Sequence, residues 1–170
     1  MLLLFDPDVL FWIVVTGKFS ELNISYFDPN PNVLNFGQSL ELARDSALFR
    51  WKKGVHGHLV TFNTLEKYNY IKNSVLTGSF SSSWYWIGAS DAASPGVWLW
   101  VSGPDAGEAI SPEIAALLPA DNPNGYACLA ISSTGLSYQD CNSHAINMLV
   151  EYRCPPTFAL GPSQCERTFT

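Results

Sequence analysis

Four cysteines, Cys128, Cys141, Cys154 and Cys165, and three histidines, His56, His58 and His144, are the residues from which metal or redox chemistry would first be built. The cysteine gaps of 13, 13 and 11 residues contain no CxxC pair and no Cys/His cluster at zinc spacing. Structural disulfides in an oxidising compartment therefore explain them better than metal or redox work. Four cysteines permit three pairings, and spacing leaves that choice open. His56 and His58 sit two apart, as same-face strand residues would, with no third ligand nearby, and His144 is read as loop surface. Serine-hydrolase elbows, HExxH, P-loops and GxGxxG are absent. No nucleophile, base and orienting group assemble, so the chain reads as non-enzymatic.

The elements that would carry these residues belong to a single packed domain. The chain has 170 residues, 47% of them hydrophobic and only 14% charged, which argues against disorder and for a continuous core. A net charge of -6 with scattered basic residues disfavours nucleic acid and anionic membranes, because phosphate binding relies on clustered Lys and Arg. Glycans, cations and other proteins remain as natural partners. The opening Met1-Leu-Leu-Leu-Phe5 lacks a basic n-region and is followed by Asp6 and Asp8. The apolar run over 9–15 is far shorter than the roughly 20 residues of a membrane span. A first core strand over 10–15 is expected instead, with any leader absent or elsewhere and no membrane insertion within this chain. Asn23-Ile-Ser25 is the one glycosylation sequon.

Residues 18–38 read as a strand followed by a turn-rich stretch, with Asp28-Pro-Asn-Pro-Asn32 breaking any helix. Ser39 caps a first helix whose Leu40, Ala43, Ala47 and Trp51 recur at helical spacing before Lys52, Lys53 and Gly54 close it. Residues 57–62 read as a strand. Thr64 then caps a second helix, with Leu65, Tyr68, Ile71 or Lys72, and Val75 on one face, ending at Gly78. Strand pieces follow over 84–88, 97–101, 127–131 and 147–152. Between them, about 23 residues from Ser102 to Asn124 form a loop with little periodicity, apart from a possible helical turn over 112–118; loops of that length are uncommon unless functional. The class is α+β.

The segment Trp84-Tyr-Trp-Ile-Gly-Ala-Ser-Asp91, followed by Gly96-Val-Trp98-Leu-Trp100, resembles the central motif of C-type-lectin-like domains. Alternation places Trp98 and Trp100 on one strand face, and Gly88 permits a close backbone approach. Ala43-Arg44, Gly57-His-Leu-Val60, the Glu66-containing helix, Asn122-Pro-Asn124, two cysteines and Leu149-Val-Glu-Tyr152 follow in family order over some two thirds of the chain. The resemblance implies two helices flanking small antiparallel sheets with a long loop region, and a core position for His58. Residues 98–107 look most like the microbial and protist branch. Cys128 and Cys141 match the family's inner disulfide, closing a loop of about fourteen residues for roughly 3 kcal/mol. The outer pair would fall at about Ala47 and Val150, where both cysteines are missing together. The tail from Cys154 to Cys165 looks like the opening of a cysteine-rich extracellular repeat, which pairs those two locally.

Sugar-binding members of that family hold calcium through an E-P-N or Q-P-D tripeptide, a nearby acid and a W-N-D motif, since the cation needs six to eight oxygens. In that pattern this chain offers Asn122-Pro123-Asn124 preceded by Asp121, with Tyr126 and Ala127 where an acid is expected. Leu136-Ser-Tyr-Gln-Asp140 stands in place of W-N-D. The family's proline here is often cis. Asp121, Asn122, Asn124 and Asp140 thus form the implied ligand-binding set, with Asn122, Asn124 and Asp140 as weak calcium candidates and Glu108 or Glu113 as further oxygen sources. The competing use, a plain turn over 122–125 and a solvated or capping Asp140, outweighs a tight calcium site. Trp84 or Tyr85 would stack on sugar if exposed, although core packing is the commoner use.

The resulting expectation is an extracellular or cell-surface recognition module. An N-terminal segment spans 1–17, a C-type-lectin-like domain 18–153 and a cysteine-rich tail 154–170. It binds glycan through the long loop with doubtful calcium dependence, or else serves as a structural or protein-binding unit of a larger assembly.

Overall fold

The computed structural model describes residues 25–28, 39–52, 55–153, 158–160 and 165–167. The expected strand over 10–15, the sequon Asn23 and the Cys154–Cys165 pairing lie outside the described residues. In chain order the elements are β1 (Ser25–Asp28), α1 (Leu40–Leu48), β2 (Trp51–Lys52), β3 (Val55–His56), β4 (His58–Leu59) and α2 (Leu65–Tyr70). After these come β5 (Tyr85–Ser90), β6 (Leu99–Trp100), α3 (Pro112–Ala115), β7 (Cys128–Ser132) and β8 (Gly135–Gln139). The chain then forms β9 (Asn147–Met148), β10 (Val150–Arg153), β11 (Phe158–Leu160) and β12 (Cys165–Arg167). This is the expected α+β arrangement of two principal helices against small antiparallel sheets.

One sheet has the order β1-β10-β4, so the early strand β1 pairs with the late strand β10. The larger sheet runs β6-β5-β7-β8, with β9 parallel to the other end of β5. Its central strand is buried on both faces. Tyr85, Ile87 and Ala89 enter one core with Val60, Phe62, Ile71, Trp100 and Leu129, while Trp86 enters a second with Leu40, Ala43, Ala47, Cys128 and Val150. Period-two alternation therefore feeds apolar side chains to α2 and the long loop on one side and to α1 on the other. Gly88 sits where a Cβ would lie 2.8 Å from the Ser102 Cβ, which is the close approach that its position in the strand suggests.

Ser39 caps α1 by accepting from Leu42 N–H at 3.4 Å. The helix stops at Leu48 and does not reach Trp51 as its spacing suggests, because Trp51 pairs with His56, and Lys52 with Val55, in a hairpin that takes the backbone groups a helix would use. Thr64 caps α2 as expected, accepting from Lys67 N–H at 3.2 Å. Beyond Tyr70 the helix continues as a π turn over Ile71–Val75. Tyr68, Ile71 and Val75 are buried, while Leu65, read as part of the same face, stays 38% exposed in the first turn. The strand expected over 147–152 divides at Leu149, whose N–H bonds Trp86 O and whose carbonyl accepts from Val60 N–H. That handover lets one segment serve both sheets. The strand β8 lies outside the expected strands; a two-residue turn at Ser133 and Thr134 brings it back against β7.

Candidate functional site

The long loop leaves β6 and is fastened at its root. Ser102 Oγ accepts from Leu59 N–H at 2.9 Å. Gly103, at φ +71°, lies against the His58 ring so closely that any side chain would overlap it. Asp105 then takes a two-pronged bond from Arg153 (2.9 and 3.0 Å) and a short hydrogen bond from the Thr61 hydroxyl. Arg153 also reaches Glu151 at 3.2 Å and Thr61 Oγ1 at 3.0 Å, and Lys67 Nζ donates to both oxygens of Glu151 at 2.7 and 2.8 Å. Glu151 is 0% exposed. A carboxylate taken out of water survives as an anion only when paired and hydrogen-bonded. Burial would raise its pKa, but Lys67 and Arg153 overcome that and hold it down at about 2. Asp105 is likewise held low, its burial outweighed by the bonds from Arg153 and Thr61.

His58 is buried beside this cluster, in the core position that the resemblance implied. Its Nδ1 lies 2.9 Å from Leu59 O, and since a carbonyl only accepts, Nδ1 carries the proton. Nε2 is then an acceptor with no hydrogen-bond partner among the described residues. Burial first, and then the cations Arg153 and Lys67, lower its pKa below 6.5 despite the attraction of Glu151. His56 and His144 are both exposed.

Sequence reasoning passed over this cluster of Thr61, Lys67, Asp105, Glu151 and Arg153. The available signal was Glu151 itself, a charged residue between Val150 and Tyr152 in an otherwise apolar strand, which requires a partner.

Further along, Ser111 caps α3 and delivers Ile114 to the core. The chain returns through residues 119–127 to β7, where Cys128 is bridged to Cys141 with Cα atoms 5.2 Å apart. This is the inner disulfide that the resemblance implied. The missing outer pair is also accounted for: Ala47 and Val150 share one apolar cluster, and a Cβ on Gly57 would lie 2.7 Å from Val150 Cγ1 and 2.8 Å from Ala47 O.

The implied ligand residues leave the same end of the β7–β8 ribbon. Cys128 faces Gln139 in the register, with Asp140 one residue beyond and the 122–126 turn just before. Their polar atoms are committed locally. Asn122 Oδ1 accepts from Tyr126 N–H at 3.0 Å, its Nδ2 donates to Tyr126 O at 2.8 Å, and its carbonyl accepts from Gly125 N–H at 3.0 Å. Asp140 Oδ1 accepts from Asn142 N–H at 3.0 Å and its carbonyl from Ser143 N–H at 2.8 Å. Asp121, Asn124, Glu108 and Glu113 are exposed. No cis peptide occurs among the described residues, so the Asn122–Pro123 link is trans. Among the described residues no group of three or more His, Cys, Asp or Glu is arranged to hold a metal ion.

The aromatic residues follow the commoner use, core packing. Tyr85 is buried at 1% exposure and Trp84 packs partly buried against the second core, so neither stands out as a free platform. Trp100 is core, meeting Phe62 edge-on at 6.1 Å. Trp98, on the same strand face, stays at the core's margin and stacks with Tyr138, ring centroids 5.5 Å apart at 36°.

The family model for the lectin C-type domain matches residues 52–147, more than half of the chain. Among solved structures, the trimeric Kupffer cell C-type lectin receptor Clec4f superposes with a TM-score of 0.55 at 17% identity, over 81% of this chain and 82% of that one. The carbohydrate-recognition domain of the mouse scavenger receptor C-type lectin gives 0.51 at 19% identity, over 81% and 92%. The cow C-type carbohydrate-recognition domain of CD23, with a GlcNAc2Man3 oligosaccharide, gives 0.53 at 15%, over 84% and 99%. At these identities the likeness is one of fold. Halomucin of Haloquadratum walsbyi is 40% identical over 65 residues, which are 38% of this chain and 1% of that protein's length.

Proposed function

This chain belongs to the C-type lectin domain family, and from that premise we propose that it is an extracellular, non-enzymatic module that recognises glycan through its long loop without a tight calcium site. The observation that carries the calcium part is the local commitment of Asn122 and Asp140 to their own turns. A hard cation asks for six to eight oxygens, several of them carboxylate, and this donor set does not fit one. The loop has other means of order: the Cys128–Cys141 bridge at one end and the Asp105–Arg153–Glu151–Lys67 cluster at the other. The likeness to the cow CD23 carbohydrate-recognition domain, solved in the presence of an oligosaccharide, supports glycan as the ligand class. The halomucin match supports a microbial branch of the family. A lectin domain over 18–153, a cysteine-rich tail with a Cys154–Cys165 bridge, and glycosylation at Asn23 complete this reading.

A second reading, protein contact within a larger assembly, is favoured by one feature. Leu42, Leu48 and Phe49 around α1 are exposed, Phe49 at 86%, and large apolar side chains grouped on a surface mark interaction sites. A glycan array probed with calcium and again with chelator tests the proposal. Chelator-resistant hits are expected. Hits that vanish with chelator would overturn the calcium-free mechanism, and a blank array would move the weight to protein contact.

A further inference from the structure

The rim of the larger sheet carries a group of side chains at the core's margin that the implied ligand set does not use. In the β5–β6 register Ser90 faces Leu99, so Asp91 and Trp98 are the next neighbours outward. Residues 91–97 fold back on Asp91: Ser94 N–H bonds its carbonyl at 3.0 Å and Gly96 N–H its Oδ2 at 2.8 Å. Oδ1 has no hydrogen bond among the described residues. Asp91 N–H in turn bonds Ala127 O at 3.1 Å, which brings Tyr126 to the same rim, 36% exposed. Val97, also at the rim, is 49% exposed. Trp98 stacks on Tyr138, whose hydroxyl donates to Pro119 O at 3.2 Å and so fixes the ring. Burial and then the charge on Asp91 raise the Tyr138 pKa, so carboxylate and phenol are within electrostatic reach.

Two half-buried aromatic rings held in place beside a free carboxylate oxygen have the make-up of a sugar subsite. Ring faces accept the apolar C–H face of a pyranose, and a carboxylate accepts from its hydroxyls with charge-assisted bonds. A rigid ring also loses little conformational entropy on binding. Oδ1 of Asp91 only accepts, and the chain as a whole carries a charge of -6, so acidic sugars are repelled. We propose that Trp98 and Tyr138, with Asp91 at their edge, form a calcium-free shelf for a neutral pyranose. This rests on glycan as the ligand class and goes beyond the loop-centred reading, since it places the sugar on the sheet rim beside the loop rather than on the loop itself.

The test uses the full 15N-labelled chain in excess EDTA. It is titrated with methyl pyranosides of glucose, galactose, mannose and N-acetylglucosamine, and with methyl glucuronide as the acidic control. The Trp98 indole N–H and the amides of Asp91, Val97 and Tyr138 shift with at least one neutral sugar and stay put with methyl glucuronide. Asp91→Asn keeps an oxygen for Gly96 N–H, and it weakens that binding roughly tenfold by removing a charged acceptor. Trp98→Ala abolishes it; if that variant fails to fold, Tyr138→Leu lowers affinity by a similar factor of roughly ten. Unchanged affinity in Asp91→Asn overturns the shelf, as does stronger binding of methyl glucuronide than of any neutral sugar. Shifts that need calcium and centre on Asn122, Asn124 and Asp140 overturn the shelf while leaving glycan recognition standing. No shift with any sugar, together with a blank array, overturns both.

Discussion

Replacing Glu151 by Gln tests whether a buried charge cluster holds the long loop to the body of the domain. The carboxylate is 0% exposed and receives Lys67 at 2.7 and 2.8 Å and Arg153 at 3.2 Å. An amide offers one acceptor oxygen where the carboxylate's two oxygens take three hydrogen bonds from Lys67 and Arg153, and its NH2 faces a cation, donor against donor. Glu151 is held at about 2 against an ordinary 4.5, a difference worth roughly 3 kcal/mol at neutral pH. Breaking one partner out of a buried ion pair costs about 3–5 kcal/mol in general, so the two routes agree. Against a total stability of about 5–15 kcal/mol this is a large fraction, and it corresponds to a melting point lower by roughly 10 °C for a chain this long. The acid limb carries an independent signature. A carboxyl with a lowered folded pKa contributes stability above pH 4.5 that is lost as pH falls from there toward 2, since the unfolded chain takes the proton first. Urea denaturation at a series of pH values should show that limb in the natural chain and its loss in Glu151→Gln. Lys67→Met with Glu151→Leu leaves Arg153 paired with Asp105 and should cost less than Glu151→Gln alone. A loss under about 1 kcal/mol, the size expected of a surface pair, would refute the reasoning.

Gly103→Ala sets a Cβ into the His58 ring at a φ of +71° and should cost about 2 kcal/mol or more, read as a lower denaturation midpoint together with faster proteolysis in the 102–126 loop. His58, its pKa lowered below 6.5 chiefly by burial, makes the fold lose stability as pH drops under that value, because the unfolded imidazole protonates first; His58→Leu should flatten the stability profile between pH 6.5 and the next acid limb. Reducing Cys128–Cys141 should cost roughly 3 kcal/mol, measured by melting with and without reductant. Ala47→Cys with Val150→Cys should oxidise spontaneously and add up to about 4 kcal/mol of stability, read as a higher melting point; failure to cross-link would show that these positions do not face each other.

Most of the framework could be read directly because its signals are local. Ser39 and Thr64 announce their helices by capping, and Trp98 and Trp100 share a face because strands alternate. The inner disulfide followed from the family resemblance. What escaped was decided by distant backbone. Trp51 fits helical spacing, yet hairpin pairing with His56 claims it. Leu65 fits the α2 face but lies in its first turn, clear of the core. The strand β8 lacks a strong apolar alternation, with only Leu136 fully inward, and exists because β7 offers it a free edge. The site follows the same division. Asn122, Asn124 and Asp140 stand out as a motif, but whether their oxygens are free depends on which N–H groups the turns bring to them. Asp105, from the loop, and Thr61 and Arg153, from opposite ends of the domain, have no shared sequence signature at all. Only the buried Glu151 hinted that they must meet.

The central claim is that this lectin fold recognises glycan with a loop ordered by protein contacts rather than by calcium. Its most direct test is the affinity of the purified chain for the strongest glycan on the array, measured by calorimetry in calcium and again in excess chelator. Equal affinities are predicted, with no heat of calcium binding in the sugar-free protein. An affinity that collapses in chelator, accompanied by calcium binding to the free chain, would contradict the account.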